Sequence, residues 1–160
     1  MQLTDTDLVH LRRCVELARE ALDSDNDPFG SLLVDSDGAV RFEDRNRTSG
    51  GDETRHPEFE IARWAAANLT VEQRASATVY TSGEHCPMCA AAHAWVGLDK
   101  IVYASSSAQL RQWRDELHLA PGPVASLAIG VVAPGVPTAG PALELSDEIR
   151  GLHRQRAARR

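Results

Sequence analysis

Residues 78–103 read TVYTSGEHCPMCAAAHAWVGLDKIVY: a short apolar run, then Glu84-His85-Cys86-Pro87-Met88-Cys89, then an alanine-rich segment and a second apolar run. The first run reads as a strand over 78–81 and the last as a strand over 100–103. Between them Pro87 suits the first position of a helix, where its missing N–H would be unpaired anyway, so 87–96 reads as a helix. Strand, helix and strand in that order form a crossover unit, which builds parallel sheet. Positions just past the carboxyl end of a parallel strand are where α/β sheets put their sites. Cys86 and Cys89 stand there, three residues apart on one side of a first helical turn, where the helix dipole favours thiolate.

Upstream, His56-Pro57-Glu58 repeats the device, again with a proline directly after a candidate ligand. Residues two apart point away from each other along a helix, so His56 and Glu58 can converge only at its mouth, with His56 at or near the cap. One imidazole, two thiols and a spare carboxylate are the ligand set and acid/base group of a hydrolytic zinc site. The expectation is one Zn2+ per chain, held by His56, Cys86 and Cys89. The fourth position is left for water, whose pKa such an ion lowers to about 7. Glu58 stays off the metal and moves the protons, first as base and then as acid. A lone C-x-x-C is also compatible with a redox pair or half of a closed structural zinc site. The first leaves His56 and Glu58 without a role, and the second needs a fourth ligand, for which His85 is the adjacent candidate.

These residues resemble the cytidine deaminase superfamily, and more closely its guanine deaminase and tRNA adenosine deaminase branch, whose pattern is His-x-Glu followed by Pro-Cys-x-x-Cys. The supporting matches are Pro28-Phe29-Gly30, Asn46, Val79-Tyr80-Thr81-Ser82 and residues 92–95. The run SGEHCPMCAAAHAW looks most like a bacterial subgroup of nucleoside or nucleobase deaminases. Two positions depart from the pattern: His85 stands where proline usually precedes the first cysteine, and Gly83 where cysteine is frequent. The resemblance implies a three-layer α/β/α sandwich around a mixed sheet of about five strands. It also implies a homodimer and hydrolysis of an exocyclic amine on a small base, nucleoside or base analogue to a carbonyl plus ammonia. Editing of tRNA adenosine and a non-catalytic zinc-stabilised interaction domain are the alternatives. By the same resemblance Asn46 is a ring-contacting amide, with a plain turn asparagine as the alternative. Phe29 is part core and part pocket wall, since aromatic faces stack on planar bases. Glu84 is either a solvated acid or an acceptor for substrate N–H groups, and His153 reaches the pocket from an overlying or exchanged C-terminal segment. His93, Trp64, Trp113 and Cys14 read as packing residues.

With 160 residues, 42% hydrophobic and 25% charged, the chain fits a single domain over 1–160 that buries roughly 70% of its unfolded surface. Residues 134–160 form a Pro/Gly-rich linker and a C-terminal helix, which a dimer could exchange. No apolar run approaches the roughly 20 residues that span a bilayer, and the start lacks the basic and apolar segments of a signal peptide, so a cytoplasmic protein with no membrane partner is expected. A net charge of −6 argues against a nucleic-acid partner, because such binding draws on neutralised phosphates. Basic residues concentrate only at Arg150, Arg154, Arg156, Arg159 and Arg160.

Along the rest of the chain, apolar spacings of three and four predict a helix over 4–22 capped by Thr4 or Thr6. Strands over 31–34 and 39–43 are joined by an Asp37-Gly38 turn. The segment 45–55 reads as a loop, a helix continues from Glu58 through Leu69, and another covers 107–117. A last strand is expected over 128–132 and a terminal helix over 142–156.

Overall fold

The computed structural model describes residues 3–159. Helix α1 (Asp5–Asp23) opens with Thr4 as N-cap, its hydroxyl accepting from the Asp7 N–H while the Asp7 carboxylate accepts from the Thr4 N–H. Strands β1 (Gly30–Val34) and β2 (Val40–Arg45) form the expected hairpin. Helix α2 (Pro57–Asn68) is followed by a single turn, α3 (Val71–Arg74), and by β3 (Thr78–Gly83), α4 (Pro87–Trp95) and β4 (Lys100–Ser105). Then come α5 (Ser107–Glu116), the short α6 (Ile129–Val132), β5 (Thr138–Ala139) and α7 (Ser146–Ala157).

The sheet order is β2-β1-β3-β4-β5. β1 is antiparallel to both neighbours, whereas β3, β4 and β5 are parallel. Period-2 alternation divides the strand side chains between two layers. Leu32, Val34, Tyr80, Val102, Ala104 and Ala139 face α1 and α7, joining Leu11, Val15, Leu22, Ile149 and Leu152. Leu33 and Val79 face α2, against Ile61, Ala65 and Leu69, and Ile101 packs on Ala90 of α4 and Ile129 of α6. Each large aliphatic chain so buried stabilises the fold by about 1.5–3 kcal/mol. The result is the three-layer α/β/α sandwich on a mixed five-stranded sheet that the sequence led us to expect.

Two elements differ from expectation. Residues 128–132 were expected as a strand and are instead the short helix α6, while the fifth strand falls at Thr138–Ala139, inside the Pro/Gly-rich stretch. A short apolar run carries no period by which to tell strand from helix. Here Ile129 packs against Ala90 of α4, and its N–H at the start of the helical turn is taken by the Glu84 carboxylate. The terminal helix begins later than expected, at Ser146, after a 3-10 turn over Leu143–Leu145.

The site-bearing edge of the sheet is held by close approaches. At Gly30 an added Cβ would lie 2.4 Å from Leu17 Cβ and 2.5 Å from the Cys14 carbonyl oxygen, so α1 rests directly on the start of β1. The Tyr80 hydroxyl donates to Asp7 Oδ1 at 2.8 Å, tying β3 to the first turn of α1. Residues on either side of Gly30 are thereby fixed in register with β3.

Candidate active site

His56 and Cys86 occupy equivalent places, each the N-cap of a helix whose first residue is proline. Proline is tolerated there because the first N–H groups of a helix have no intrahelical partner. α2 and α4 pack side by side on one face of the sheet, which brings their starts together. His56 Nδ1 lies 3.6 Å from Cys86 Sγ and 3.6 Å from Cys89 Sγ. The three ligand atoms lie within 4.8 Å of one another, and no other such group of His, Cys, Asp or Glu side chains occurs among the described residues.

This spacing fits an ion. Tetrahedral bonds of about 2.3 Å to sulfur and 2.0–2.1 Å to nitrogen put a sulfur and a nitrogen about 3.6 Å apart. The electrostatics fit as well. Cys86 is held well below the ordinary thiol range by hydrogen bonding with Cys89, and the His56 contact adds to this. Cys89 is pushed up by the same hydrogen bond and by burial, so without a cation the pair shares its negative charge unevenly. His56 is raised, chiefly through Cys86. Two sulfurs and an imidazole so placed could hold Zn2+, which supplies a Lewis acid and an acidified water.

Glu58 is 5% exposed and is the second residue of α2, in its first turn. Burial raises its pKa, opposed by the charge of His56 and by hydrogen bonds from Thr81 and Ser31. Ser31 Oγ and Thr81 Oγ1 each donate to Glu58 Oε1 at 2.8 Å. These two hydroxyls were not singled out from the sequence. The available signal was slight: Ser31 is the one polar residue of β1, and it faces Thr81 across β1 and β3.

Asn46 is buried, and its Oδ1 accepts from the Thr48 N–H at 3.2 Å and the Thr48 hydroxyl at 2.9 Å. The turn role is therefore met by the carbonyl end, and the amide NH2 is the end that could meet a ring. The Asn46 N–H donates to the Phe29 carbonyl at 2.9 Å, joining the two residues. The Phe29 ring lies over Gly83, where an added Cβ would sit 2.9 Å from it. Its edge meets His153 of α7 at a centroid distance of 5.2 Å. Glu84 is half-buried, and each of its carboxylate oxygens meets a backbone N–H. Its Oε2 accepts from the Ser107 N–H at 2.7 Å and its Oε1 from the Ile129 N–H at 2.9 Å. The carboxylate thus braces the starts of α5 and α6, a use of helix-start amides that the sequence pattern did not disclose.

His85 does not join the ligand group. It is 1% exposed and packs edge-to-face on His93, with ring centroids 5.5 Å apart, so the closed four-ligand site considered from the sequence has no fourth member among the described residues. Burial lowers the pKa of His93 to about 4. An unfolded histidine takes up its proton near pH 6.5, whereas this one resists until about 4. The folded state is therefore fully favoured above about pH 6.5 and loses stability as pH falls through that window, by about 3 kcal/mol for this residue. His93→Gln, which keeps a donor near the Asp99 carbonyl, is expected to flatten the acid limb. Urea midpoints of both proteins between pH 7 and 4.5 test this, and parallel curves would refute it.

Fold and ligand geometry together describe an α/β/α protein built around one zinc site. Residues 4–105 match the model of the cytidine and deoxycytidylate deaminase zinc-binding region, and the chain belongs to that family. A Schizosaccharomyces pombe protein named "Probable cytosine deaminase" is 32% identical over 111 residues, which is 68% of this chain and 66% of that protein. The guanine deaminase of Bacillus subtilis is 37% identical over 97 residues, or 59% of this chain and 62% of its own. In both cases the match spans just under two-thirds of the relative. The solved structure of a guanine deaminase from Nitrosomonas europaea aligns with a TM-score of 0.70 at 21% identity, covering 99% of this chain and 87% of that one. That likeness is one of fold.

Proposed function

We propose that the chain is a zinc-dependent hydrolytic deaminase acting on the exocyclic amine of a small nucleobase, nucleoside or base analogue. The observation that carries this is a buried carboxylate, Glu58, two residues from an imidazole that converges with two sulfurs on one point. A structural zinc site has no use for such a group, whereas hydrolysis of an amidine-type C–N bond needs it twice. Glu58 takes a proton from the attacking water and delivers it to the ring nitrogen beside the reacting carbon. It then takes the remaining proton from the newly added hydroxyl and passes it to the amine, so that the C–N bond breaks, the carbonyl forms and ammonia leaves. Burial raises the pKa of Glu58, which makes the carboxylate readier to hold a proton between the two transfers. Asn46 through its amide NH2, and Phe29 and His153 through their rings, are the proposed substrate contacts. Glu84 is proposed to act indirectly, by bracing the segments around them.

The acidic balance and the fate of the tail arginines favour a small substrate over tRNA. Arg156 pairs with Asp25 and Asp27, Arg150 with Glu116, and Arg159 donates to the Leu22 carbonyl. Arg160 lies outside the described residues. Among the described residues no helix is long and apolar enough to cross a membrane, and a cytoplasmic setting is part of the proposal. So are the single domain over 1–160 and a homodimer. Trp95 is 89% exposed and adjoins Ala91, Leu98 and the apolar run Val132 to Val136, a surface suited to a second copy. α7 rests on α1 of its own chain here, through Arg19–Glu148 among other contacts, and exchange would make the same contacts between copies.

Ammonia release from guanine, cytosine, their nucleosides and aminotriazines, measured on zinc-loaded protein, tests the function. Turnover on at least one free base or nucleoside is expected. Activity confined to tRNA, with binding that weakens steeply with salt, would replace the proposal by the editing alternative.

A further inference from the structure

We propose that Ser31 and Thr81 are positioning residues that fix the orientation of Glu58, both hydroxyls engaging Oε1 so that Oε2 is the oxygen that exchanges protons. The inference rests on the deaminase reading. Its starting point is an arrangement of four oxygens. Ser31 Oγ and Thr81 Oγ1 each lie 2.8 Å from Glu58 Oε1. They lie 2.9 Å from each other, and Thr81 Oγ1 lies 2.9 Å from the Gly83 carbonyl oxygen. Ser31 and Thr81 are both completely buried, so no bulk water competes for these contacts.

Two hydroxyls carry two hydrogens for these four contacts. A hydrogen bond to a carboxylate is about twice as strong as one to a neutral acceptor, so both hydrogens go to Oε1. A carboxylate oxygen has two lone pairs, and on Oε1 both are then engaged. The carboxylate cannot rotate without abandoning two buried donors, each costly to leave unpaired. Oε2 is the remaining basic atom, held in one direction by the rigid pairing of β1 with β3, in which Ser31 stands opposite Thr81. The Gly83 carbonyl, three residues before Cys86, abuts the same hydroxyl, so the strand that delivers the thiols also sets the angle of the acid/base group. Gating by a lid is not needed for this, because every member belongs to the sheet or to α2.

The test uses zinc-loaded protein and the variants Thr81→Val, Thr81→Ser and Ser31→Ala, with zinc content and melting point recorded for each. Thr81→Val keeps shape and removes the hydroxyl. It is expected to lower kcat by about 10- to 100-fold with KM within about twofold, one zinc retained and folding intact. Thr81→Ser, which restores a hydroxyl, is expected to recover most of the loss. A residue that merely packed would show the opposite order, because serine leaves a methyl-sized void and valine does not. Crystal structures of the parent and Thr81→Val supply a readout independent of turnover: Glu58 keeps two short contacts on Oε1 in the parent and turns in the variant. An unmoved carboxylate, or kcat within twofold of the parent in Thr81→Val, overturns the inference. A parent that releases no ammonia from any substrate removes the deaminase reading instead, and the crystallographic arm still judges the clamp.

Discussion

Glu58→Gln is expected to abolish turnover while leaving the metal in place. A positioned acid/base group is worth about 10²–10⁴-fold, and here one group serves two transfers, so a fall in kcat of about 10³–10⁴-fold is the expected size. The amide oxygen of glutamine can still accept from Ser31 and Thr81, which keeps the local structure, but no atom of it shuttles a proton. Because Glu58 is buried and its pKa is raised by that burial, replacing it with a neutral isostere should not lower the melting point. Ammonia release, zinc content and thermal unfolding on one preparation decide the matter. Unchanged turnover would mean that another group moves the protons, and no turnover in parent or variant would return the protein to the class of zinc-stabilised interaction domains. Lost metal would mean that the carboxylate is a ligand after all.

Stripping the metal is expected to have an effect on both activity and stability. His56, Cys86 and Cys89 come from the starts of two helices, so once the cation is gone those starts are tied together only by packing on the sheet and by the weak contacts of the two sulfurs with His56. Chelation should reduce ammonia release to background, and added Zn2+ should restore it. An ion present at about 1,000 times its dissociation constant stabilises by about 4 kcal/mol, so the melting point should drop by about 10 °C for a chain of this length. Cys89→Ala should reproduce both losses and resist rescue by zinc. Full activity of demonstrably metal-free protein would overturn the assignment.

The sequence reading succeeded where chemistry and local structure share the same residues. Pro57 and Pro87 marked helix starts and, by doing so, located His56 and Cys86, because a ligand at an N-cap leaves a helix signature beside it. The crossover unit around the cysteines announced parallel sheet, and the Asp37-Gly38 turn announced the antiparallel edge. What stayed hidden depended on distant partners. Ser31 in an apolar strand looks like an ordinary strand residue until Thr81 and Glu58 are seen to converge on it. Glu84 invited a ligand-binding role by its place beside Cys86, yet its oxygens are engaged by the amides of Ser107 and Ile129, 23 and 45 residues away. No pattern within a window of local sequence encodes that. The misplaced fifth strand has a similar cause. Ala139 is fixed by pairing beside Val102, and a two-residue strand has too few positions to display alternation.

The docking of α7 mixes two kinds of fastening that answer differently to the solution around them. Ile149 and Leu152 are buried, and added electrolyte does not weaken their hold. The rim is ionic: Arg19–Glu148, Arg150–Glu116 and Arg156 with Asp25 and Asp27. Mobile ions screen such exposed pairs, which individually contribute about 0–1 kcal/mol. Concentrated salt should therefore leave α7 seated but let its outer margin fray. Because His153 reaches Phe29 from this helix, the pocket wall would soften with ionic strength before the metal ligands respond.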